Sequence, residues 1–260
     1  MAGQVRLQRL KGGIVRVLLD HEERLNAINH TMWADLRRLF QEMDADHELR
    51  CILISGAGER AFSTGADISE FEEHRSTAEK AKAYAKHMHG ALAAIRDCRH
   101  PVVAEIRGLC VGGGLETALC ADLRIAGEGA RFGIPIKRLG LVAAYEEMAA
   151  LIETVGRSNA LRILLEGDIF GSEEALSMGL ITRVVPDQKL QDEAVATAER
   201  IAEGAPLVAR WHKKFARRLL DPRPLEEAER EESFACFDTE DFQIGYRAFL
   251  EKRKPHFKGR

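Results

Sequence analysis

The sequence predicts an α/β fold in which a core of strands and helices is followed by a helical C-terminal portion. In the first half of the chain, short apolar runs alternate with segments of helical periodicity, as in sheets whose parallel strands are joined by crossover helices. From about Glu146 onward helical segments dominate, and only one predicted strand, at 181–185, interrupts them. Because no linker or low-complexity stretch separates the halves, we expect the C-terminal helices to pack on the core or on a neighbouring subunit.

Strands are predicted at the apolar runs 5–7, 14–19, 51–55, 101–106 and 123–126. Asn29 has the position of a helix N-cap, because apolar residues at helical spacing follow it from Met32 to Met43. The glycine-rich segment 56–67 is predicted to be a loop. Further helices are predicted at about 77–96, 146–155, 158–166, 172–178, 189–203, 206–219 and 224–237.

Composition and charge exclude several classes of protein. The 260 residues are 45% hydrophobic, which suffices for an ordinary packed core, and 38 basic against 41 acidic residues give a net charge of −3. A nucleic-acid binder usually shows a basic excess, so we expect no nucleic-acid partner. No apolar run reaches the roughly 18 residues that span a bilayer, and residues 1–6 lack the apolar region of a signal peptide. We therefore expect no membrane partner and a cytoplasmic location.

Neither a metal site nor a dinucleotide site is predicted. The five cysteines are odd in number and none are spaced as C-x-x-C, and the nine histidines form no ligand array. His87 and His89 lie two residues apart on a predicted helix and point to different faces. The segment 56–61 fits G-x-G-x-x-A, but it continues as loop instead of opening a helix. An NAD-dependent oxidoreductase is therefore set aside.

Two glycine loops are the most informative feature of the sequence. Segments 61–68 and 108–116 each follow a predicted buried strand and lead into a helix. Glycine allows a positive φ and a close approach of ligand to backbone, and a helix N-terminus presents unpaired N–H groups. Two such N–H groups that converge on one oxygen would stabilise its developing negative charge, a contribution of about 3–4 kcal/mol for each donor. Tight turns without a ligand are the alternative interpretation, and the pairing of the loops argues against it.

These loops resemble the two signature loops of the crotonase (enoyl-CoA hydratase/isomerase) superfamily. The resemblance rests on Phe-Ser-Thr-Gly-Ala-Asp-Ile at 62–68 and Gly-Leu-Cys-Val-Gly-Gly-Gly-Leu-Glu at 108–116. Further matches follow in the family's order at 24–28, 130–133, 167–168, 175–180 and 249–255. The resemblance implies a ββα spiral core in residues 1–200, a helical trimerisation region in residues 201–260, and a homotrimer or homohexamer. It also implies an acyl-CoA thioester substrate, with coenzyme A as part of the substrate and no metal or redox cofactor.

The resemblance also assigns roles to individual residues. It implies that the N–H groups of Ala66 and Gly113 form an oxyanion hole and that Glu116 transfers protons. The tail residue Lys252 is expected to reach a CoA phosphate across a subunit boundary, or else to lie in a solvated helix end. The residues that the resemblance implies for substrate or CoA binding are Arg24, Asn26, Ala27, Thr64, Ala66, Asp67, Ile68, Gly112, Ile136 and Lys252.

The sequence departs from the family pattern where a second acid is expected. Two carboxylates that orient one water molecule suit the hydration of an enoyl thioester. Glu116 is the first of these carboxylates. In hydratases of the family the second follows Phe-Gly-x-Pro, a position that Ile136 occupies here. Nearby, Tyr145, Glu146 and Glu147 stand where the family has small residues. Acids at the start of a helix have a simple structural explanation, because they complement the helix dipole. The alternative is that Glu146 or Tyr145 has taken over an acid/base role.

Several functions therefore stay open at the level of sequence. A double-bond isomerisation needs one shuttling base, so Glu116 or Glu146 alone would suffice. Hydration requires Glu116 and a relocated partner, and a decarboxylation or another enolate-forming reaction would depend mainly on the oxyanion hole. Because the second carboxylate is missing, we rank an isomerase-type reaction above efficient hydration. The non-enzymatic alternative is a family member that binds CoA or acts as a scaffold or RNA-binding protein; the charge balance and Glu116 argue against it.

Overall fold

The structure, a computed structural model, describes residues 3–260. Met1 and Ala2 belong to the segment that is predicted to lack a signal peptide, and they lie outside the described residues. Within the described range the strands form two sheets. The strands are β1 (Gln4–Arg9), β2 (Ile14–Asp20), β3 (Cys51–Gly56), β4 (Ala61–Ser63), β5 (Val102–Ile106), β6 (Leu109–Val111), β7 (Leu123–Gly127), β8 (Arg131–Gly133), β9 (Phe170–Gly171) and β10 (Arg183–Val185).

The central sheet consists of the apolar runs that were predicted as strands. Its order is β1-β2-β3-β5-β7-β10. β1 pairs with β2 in antiparallel orientation, and all the other neighbours are parallel. The predicted α/β class is thereby confirmed, and the strand predicted at 181–185 forms the edge strand β10.

A second sheet, of four strands, was missed by the sequence analysis. Its order is β4-β6-β8-β9, and its strands contain two or three residues each. Strands this short do not display a period of two in the sequence. β4 lies within the first glycine-loop segment, before Gly65, and β6 lies within the second, before Gly112, and the two strands are parallel neighbours. This small sheet therefore holds the two glycine loops side by side.

The helices follow the predicted periodicity in most of the chain. The Asn29 side chain accepts a hydrogen bond from the Met32 amide, which confirms the predicted N-cap. Gly156, at φ +73°, interrupts the long helix α5 where the prediction left a gap. The helix predicted at 224–237 is instead the short α9 and a 3₁₀ turn, and α10 was not predicted. The helices within residues 3–260 are α1 (His30–Ala45), α2 (Phe71–His74), α3 (Ala78–Asp97), α4 (Gly113–Leu119), α5 (Tyr145–Glu166), α6 (Ser172–Ser177), α7 (Leu190–Ala202), α8 (Pro206–Arg218), α9 (Glu227–Glu232) and α10 (Glu240–Leu250).

The central sheet is covered on both faces, as parallel sheets usually are. Alternate residues of β3 show this division, because successive side chains of a strand point to opposite faces. Ile52 and Ile54 belong to the core that contains residues of α1, α3 and α4. Leu53 packs instead with Leu190 and Ala194 of α7. The second sheet lies on the α1, α3 and α4 side, so the glycine loops are anchored in the larger core.

The C-terminal helices leave apolar side chains exposed. Leu219, Leu220, Phe234, Phe237, Phe249 and Leu250 are large apolar residues at the surface of the single chain. A boundary near residue 200 and an oligomerisation role for residues 201–260 stay predictions, as does the homotrimer or homohexamer. None of the helices within residues 3–260 is long and apolar enough to cross a membrane.

Candidate active site

A cavity of about 280 Å³ lies between the two glycine loops. Its other walls come from the segment around α2, from α3, and from residues 135–147. Most of its surface is apolar, and Glu116 and Glu147 are the carboxylates that line it among residues 3–260. The lining residues are Thr64, Ala66, Ile68, Phe71, Arg75, Met88, Val111, Gly112, Gly113, Glu116, Pro135, Ile136, Arg138, Leu139, Leu141, Val142 and Glu147.

Two backbone amides face this cavity without an acceptor within residues 3–260. A bridge to Ile28 bonds the residues on either side of Ala66: the Ile28 amide donates to Gly65 O at 2.7 Å, and the Asp67 amide donates to Ile28 O at 3.0 Å. The Ala66 amide between them is left free. Gly113 is the first residue of α4, where helical N–H groups have no partner in the helix.

Close approach of the loops brings these two amides to one space. A β-carbon on Gly113 would lie 3.3 Å from Ala66 N and 3.7 Å from Glu116 Oε2. A β-carbon on Gly65 would lie 2.7 Å from Gly113 N, and the φ of Gly65 is +91°, so this position requires glycine. The space next to Gly113 is thus bordered by the other amide and by a carboxylate. Their use as an oxyanion hole stays a prediction.

Glu116 lies in the first turn of α4 and its residue surface is 7% exposed. Its pKa is raised to about 8, chiefly because burial disfavours the charged form. The Glu147 carboxylate adds to this rise, and the Arg75 guanidinium opposes it. At neutral pH Glu116 is therefore mostly protonated and can donate a proton, and it becomes a base as the pH rises through about 8.

The second carboxylate at the cavity is Glu147, not the predicted Glu146. Glu147 Oε2 accepts a hydrogen bond from the Ala144 amide at 2.8 Å, and its Oε1 lies 2.9 Å from His89 Nε2. Its side chain is 11% exposed, against 65% for Glu146. Tyr145 is 90% exposed and does not line the cavity either. Consecutive residues of a helix point about 100° apart, so one position decides which acid faces inward.

The structure brings only part of the predicted binding set to the cavity. Thr64, Ala66, Ile68, Gly112 and Ile136 line it. Arg24, Asn26, Ala27, Asp67 and Lys252 do not. Contact between CoA and this second group stays a prediction.

The side chain of Asn26 holds two segments of the chain together through hydrogen bonds. It is 1% exposed, donates to Ala57 O at 2.9 Å and Ala61 O at 2.7 Å, and accepts from the His21 amide at 3.0 Å. Its backbone, at φ +56°, adopts the left-handed conformation that asparagine tolerates better than most residues. Asn26 therefore joins the turn at 21–27 to the segment that leads into the first glycine loop.

Two of the other predicted residues make contacts with each other. Arg24 Nη1 lies 3.4 Å from Asp67 Oδ1, and Asp67 also accepts hydrogen bonds from the amide and hydroxyl of Ser69. Asp67 thus caps the short 3₁₀ turn after the first loop. Lys252 lies just beyond α10 and is exposed. Within residues 3–260, no three His, Cys, Asp or Glu side chains are grouped to hold a metal ion.

Comparison with known proteins assigns the family. The family model described as Enoyl-CoA hydratase/isomerase matches residues 9–260. The chain belongs to this family. The crotonase resemblance drawn from the two glycine loops is therefore confirmed, and acyl-CoA thioesters are the family's class of substrate.

Individual relatives support the same assignment. The chain is 34% identical to the (E)-benzylidenesuccinyl-CoA hydratase of Thauera aromatica, covering 95% of this chain and 96% of that protein. It is 32% identical to the short-chain-enoyl-CoA hydratase of Clostridium acetobutylicum, covering 94% of each. The solved structure of an enoyl-CoA hydratase/carnithine racemase from Magnetospirillum magneticum is 45% identical, with a TM-score of 0.97, and covers 98% of this chain and 96% of that one.

Replacement of Asn26 by alanine tests whether this family position supports the fold or contacts CoA. We expect Asn26→Ala to lower the free energy of unfolding by about 2–4 kcal/mol, because it leaves buried backbone groups unpaired. The affinity of the folded protein for an acyl-CoA should stay within about threefold, since the side chain has no free polar atom. Denaturant unfolding at fixed protein concentration and calorimetric titration measure the two quantities. Unchanged stability with a large loss of affinity would contradict the structural role of the Asn26 side chain.

Proposed function

We propose that this chain catalyses the reversible addition of water to an enoyl-CoA, through a thioester enolate held by the amides of Ala66 and Gly113. The observation that carries the proposal is that two unbonded amides and Glu116 border the same small space. Backbone donors fixed in advance stabilise a developing oxyanion without reorganisation at the moment of reaction. The hydratases among the relatives support a reaction of this type.

The two carboxylates of the cavity divide the proton transfers between them. Different environments set their roles, as in other enzymes that use one carboxyl group as an acid and another as a base. Glu147, held by Ala144 and His89, accepts a proton from water as the water oxygen bonds to Cβ. The electron pair moves to the thioester oxygen, and Glu116 then donates its proton to Cα. Exchange with solvent restores both groups, so the net change is one added water molecule.

In this reaction Glu147 replaces the second carboxylate of the family's hydratases, whose position Ile136 occupies here. On the sequence alone, isomerase-type reactions rank above hydration, because no second acid is located. Hydration ranks first in the structure, because Glu147 lines the cavity and acts electrostatically on Glu116. Ile136 itself lines the cavity and contributes only apolar surface there.

Double-bond isomerisation is the second candidate, and the apolar Ile136 favours it. In that reaction Glu116 alone would remove a proton from one carbon of the acyl chain and return it two carbons away. The oxyanion hole would serve in the same way. The two reactions differ in their need for Glu147 and in the protonation state that Glu116 must have at the start.

Replacement of each carboxylate by its amide distinguishes the two reactions. We expect Glu116→Gln and Glu147→Gln each to lower kcat for hydration of crotonyl-CoA by about 10²–10⁴-fold, because each removes a proton-transfer group. Glu146→Gln is the matched control at the neighbouring exposed position and should stay within about twofold of the wild type. Hydration is followed by loss of the enoyl thioester absorbance. Full hydratase activity in Glu147→Gln would contradict the role of Glu147.

The pH dependence of kcat/KM gives an independent test with a definite sign. Glu116 acts as an acid in the proposed hydration, so kcat/KM should fall as the pH rises through about 8, its pKa in the free protein. A one-base isomerisation needs the ionised form, so its kcat/KM should rise over the same interval. The limb near pH 8 should vanish in Glu116→Gln for either reaction. A rising profile for crotonyl-CoA hydration would contradict the assignment of Glu116 as the acid.

A further inference from the structure

An unpaired guanidinium in an otherwise apolar cavity indicates what kind of acyl group the site accepts. Beyond the amides and the carboxylates of Glu116 and Glu147, the wall is mostly hydrocarbon, from Phe71, Met88, Pro135, Ile136, Leu139, Leu141 and Val142. Arg75 and Arg138 line the same cavity. A purely hydrocarbon acyl chain gains nothing from a cation in its pocket, because a guanidinium is costly to desolvate without a partner.

Arg75 is held in place by aromatic rings. Its guanidinium carbon lies 4.6 Å from the centre of the Phe71 ring and 5.1 Å from the centre of the Tyr84 ring. Tyr84 is itself fixed, because it is 3% exposed and its hydroxyl accepts a hydrogen bond from Trp33 Nε1 at 2.7 Å. Stacking of this kind orients a guanidinium and leaves its N–H groups available at the edge of its plane.

Those N–H groups have no acceptor within residues 3–260. The Arg75 side chain makes no ion pair and donates no hydrogen bond there, although the residue is half-buried. Other partly or fully buried arginines of the chain do have partners: Arg16 pairs with Glu105 at 2.9 Å, and Arg124 donates to Leu180 O at 2.7 Å. Arg138, the second guanidinium at the cavity, is also unpaired in this range, but it is exposed at the rim. Arg75 is therefore the cation that is both held in position and unpaired.

Arg75 lines the same cavity as Glu116. Its charge lowers the pKa of Glu116, against the larger opposing effect of burial. A group bound by Arg75 would therefore lie near the acyl carbons that exchange protons with Glu116. Glu147, the other carboxylate of the cavity, is already bonded to His89 and Ala144 and does not pair with Arg75. Neither carboxylate of the cavity therefore pairs directly with Arg75.

We propose that the substrate is the CoA monothioester of a short dicarboxylic acid, whose free carboxylate binds the guanidinium of Arg75. A carboxylate matches the guanidinium fork with two parallel charge-assisted hydrogen bonds, and the apolar wall excludes competing water. This inference rests on the proposed function, because it requires an acyl-CoA in this cavity.

A pair of unreactive thioesters of similar size tests the inference in the wild type. Glutaryl-CoA carries a terminal carboxylate, and 5-methylhexanoyl-CoA has in its place an isopropyl group with the same number of heavy atoms. We expect glutaryl-CoA to bind at least about tenfold more tightly, as hydrogen bonds to charged groups imply. Calorimetric titration at moderate salt measures both dissociation constants. Equal affinity for the two thioesters overturns the inference and leaves the proposed function standing, whereas binding of neither contradicts both.

Substitution of the two cavity arginines then assigns the preference to one residue. Arg75→Met keeps the apolar stem and removes the fork, so it should reduce the preference for glutaryl-CoA to less than about threefold and leave the affinity for 5-methylhexanoyl-CoA nearly unchanged. Arg138→Met at the rim and Arg37→Met on the exposed face of α1 are the controls and should retain the preference. Thermal unfolding checks that each variant is folded. A preference that persists in folded Arg75→Met overturns the assignment to Arg75.

Discussion

The structure depends on the close approach of two glycine loops, each of which contains an unbonded amide. The parallel neighbours β4 and β6 bring the loops together, and the Ile28 bridge bonds Gly65 and Asp67 but not Ala66. The missing β-carbons at Gly65 and Gly113 allow the two backbones to meet, since a β-carbon at either position would crowd the other loop. A helix that starts at Gly113 supplies the second amide and, one turn later, the buried Glu116. Fold and chemistry are therefore coupled through the same few backbone atoms.

Burial and neighbouring charges then determine what the carboxylates can do. Glu116 lies in a site where the charged form is disfavoured, and the raised pKa is the physical consequence. Glu147 has two hydrogen-bonding neighbours, Ala144 and His89, and differs from Glu116 in this respect. Arg75 adds a positive charge that no carboxylate within residues 3–260 pairs with directly. In the proposed reaction these groups serve as an acid, a base and a cation around one apolar cavity, an arrangement that suits the proposed polar acyl-CoA better than a simple fatty acyl chain.

The sequence predicted the fold class, the central sheet, most helices and the family, because these depend on apolar periodicity and on glycine motifs. It missed the second sheet, whose strands are too short for a period to be visible. It did not find α10, although Thr239 caps that helix in the same way as Asn29 caps α1. The residues chosen around the two loops largely line the cavity, because the motifs place the backbone itself at the site.

Side-chain orientation was the part that the sequence could not provide. Glu146 and Glu147 are adjacent acids at the start of α5, and only the rotation of that helix decides that Glu147 faces inward. The Asn26 side chain makes three hydrogen bonds to the backbone, which no motif indicated, and its contact with CoA stays a prediction. Arg75 and His89 gave no motif signal, because their roles arise from contacts between distant segments. Glu147 lies at the N3 position of α5 and its side chain bonds back to the amide of the N-cap Ala144. Alanine is not a typical N-cap residue, so this start of the helix had no local signal in the sequence.

The spectrum of bound acetoacetyl-CoA tests most directly whether the two amides bind one thioester oxygen. Two donors aimed at that oxygen should favour the enolate, so the enolate absorbance should appear when the wild-type protein is saturated. Gly113→Ala should abolish the band in a folded protein, because the added β-carbon would lie 3.3 Å from Ala66 N and occupy the oxygen's place. A saturated wild-type complex without the band, or a band of full strength in Gly113→Ala, would contradict the account.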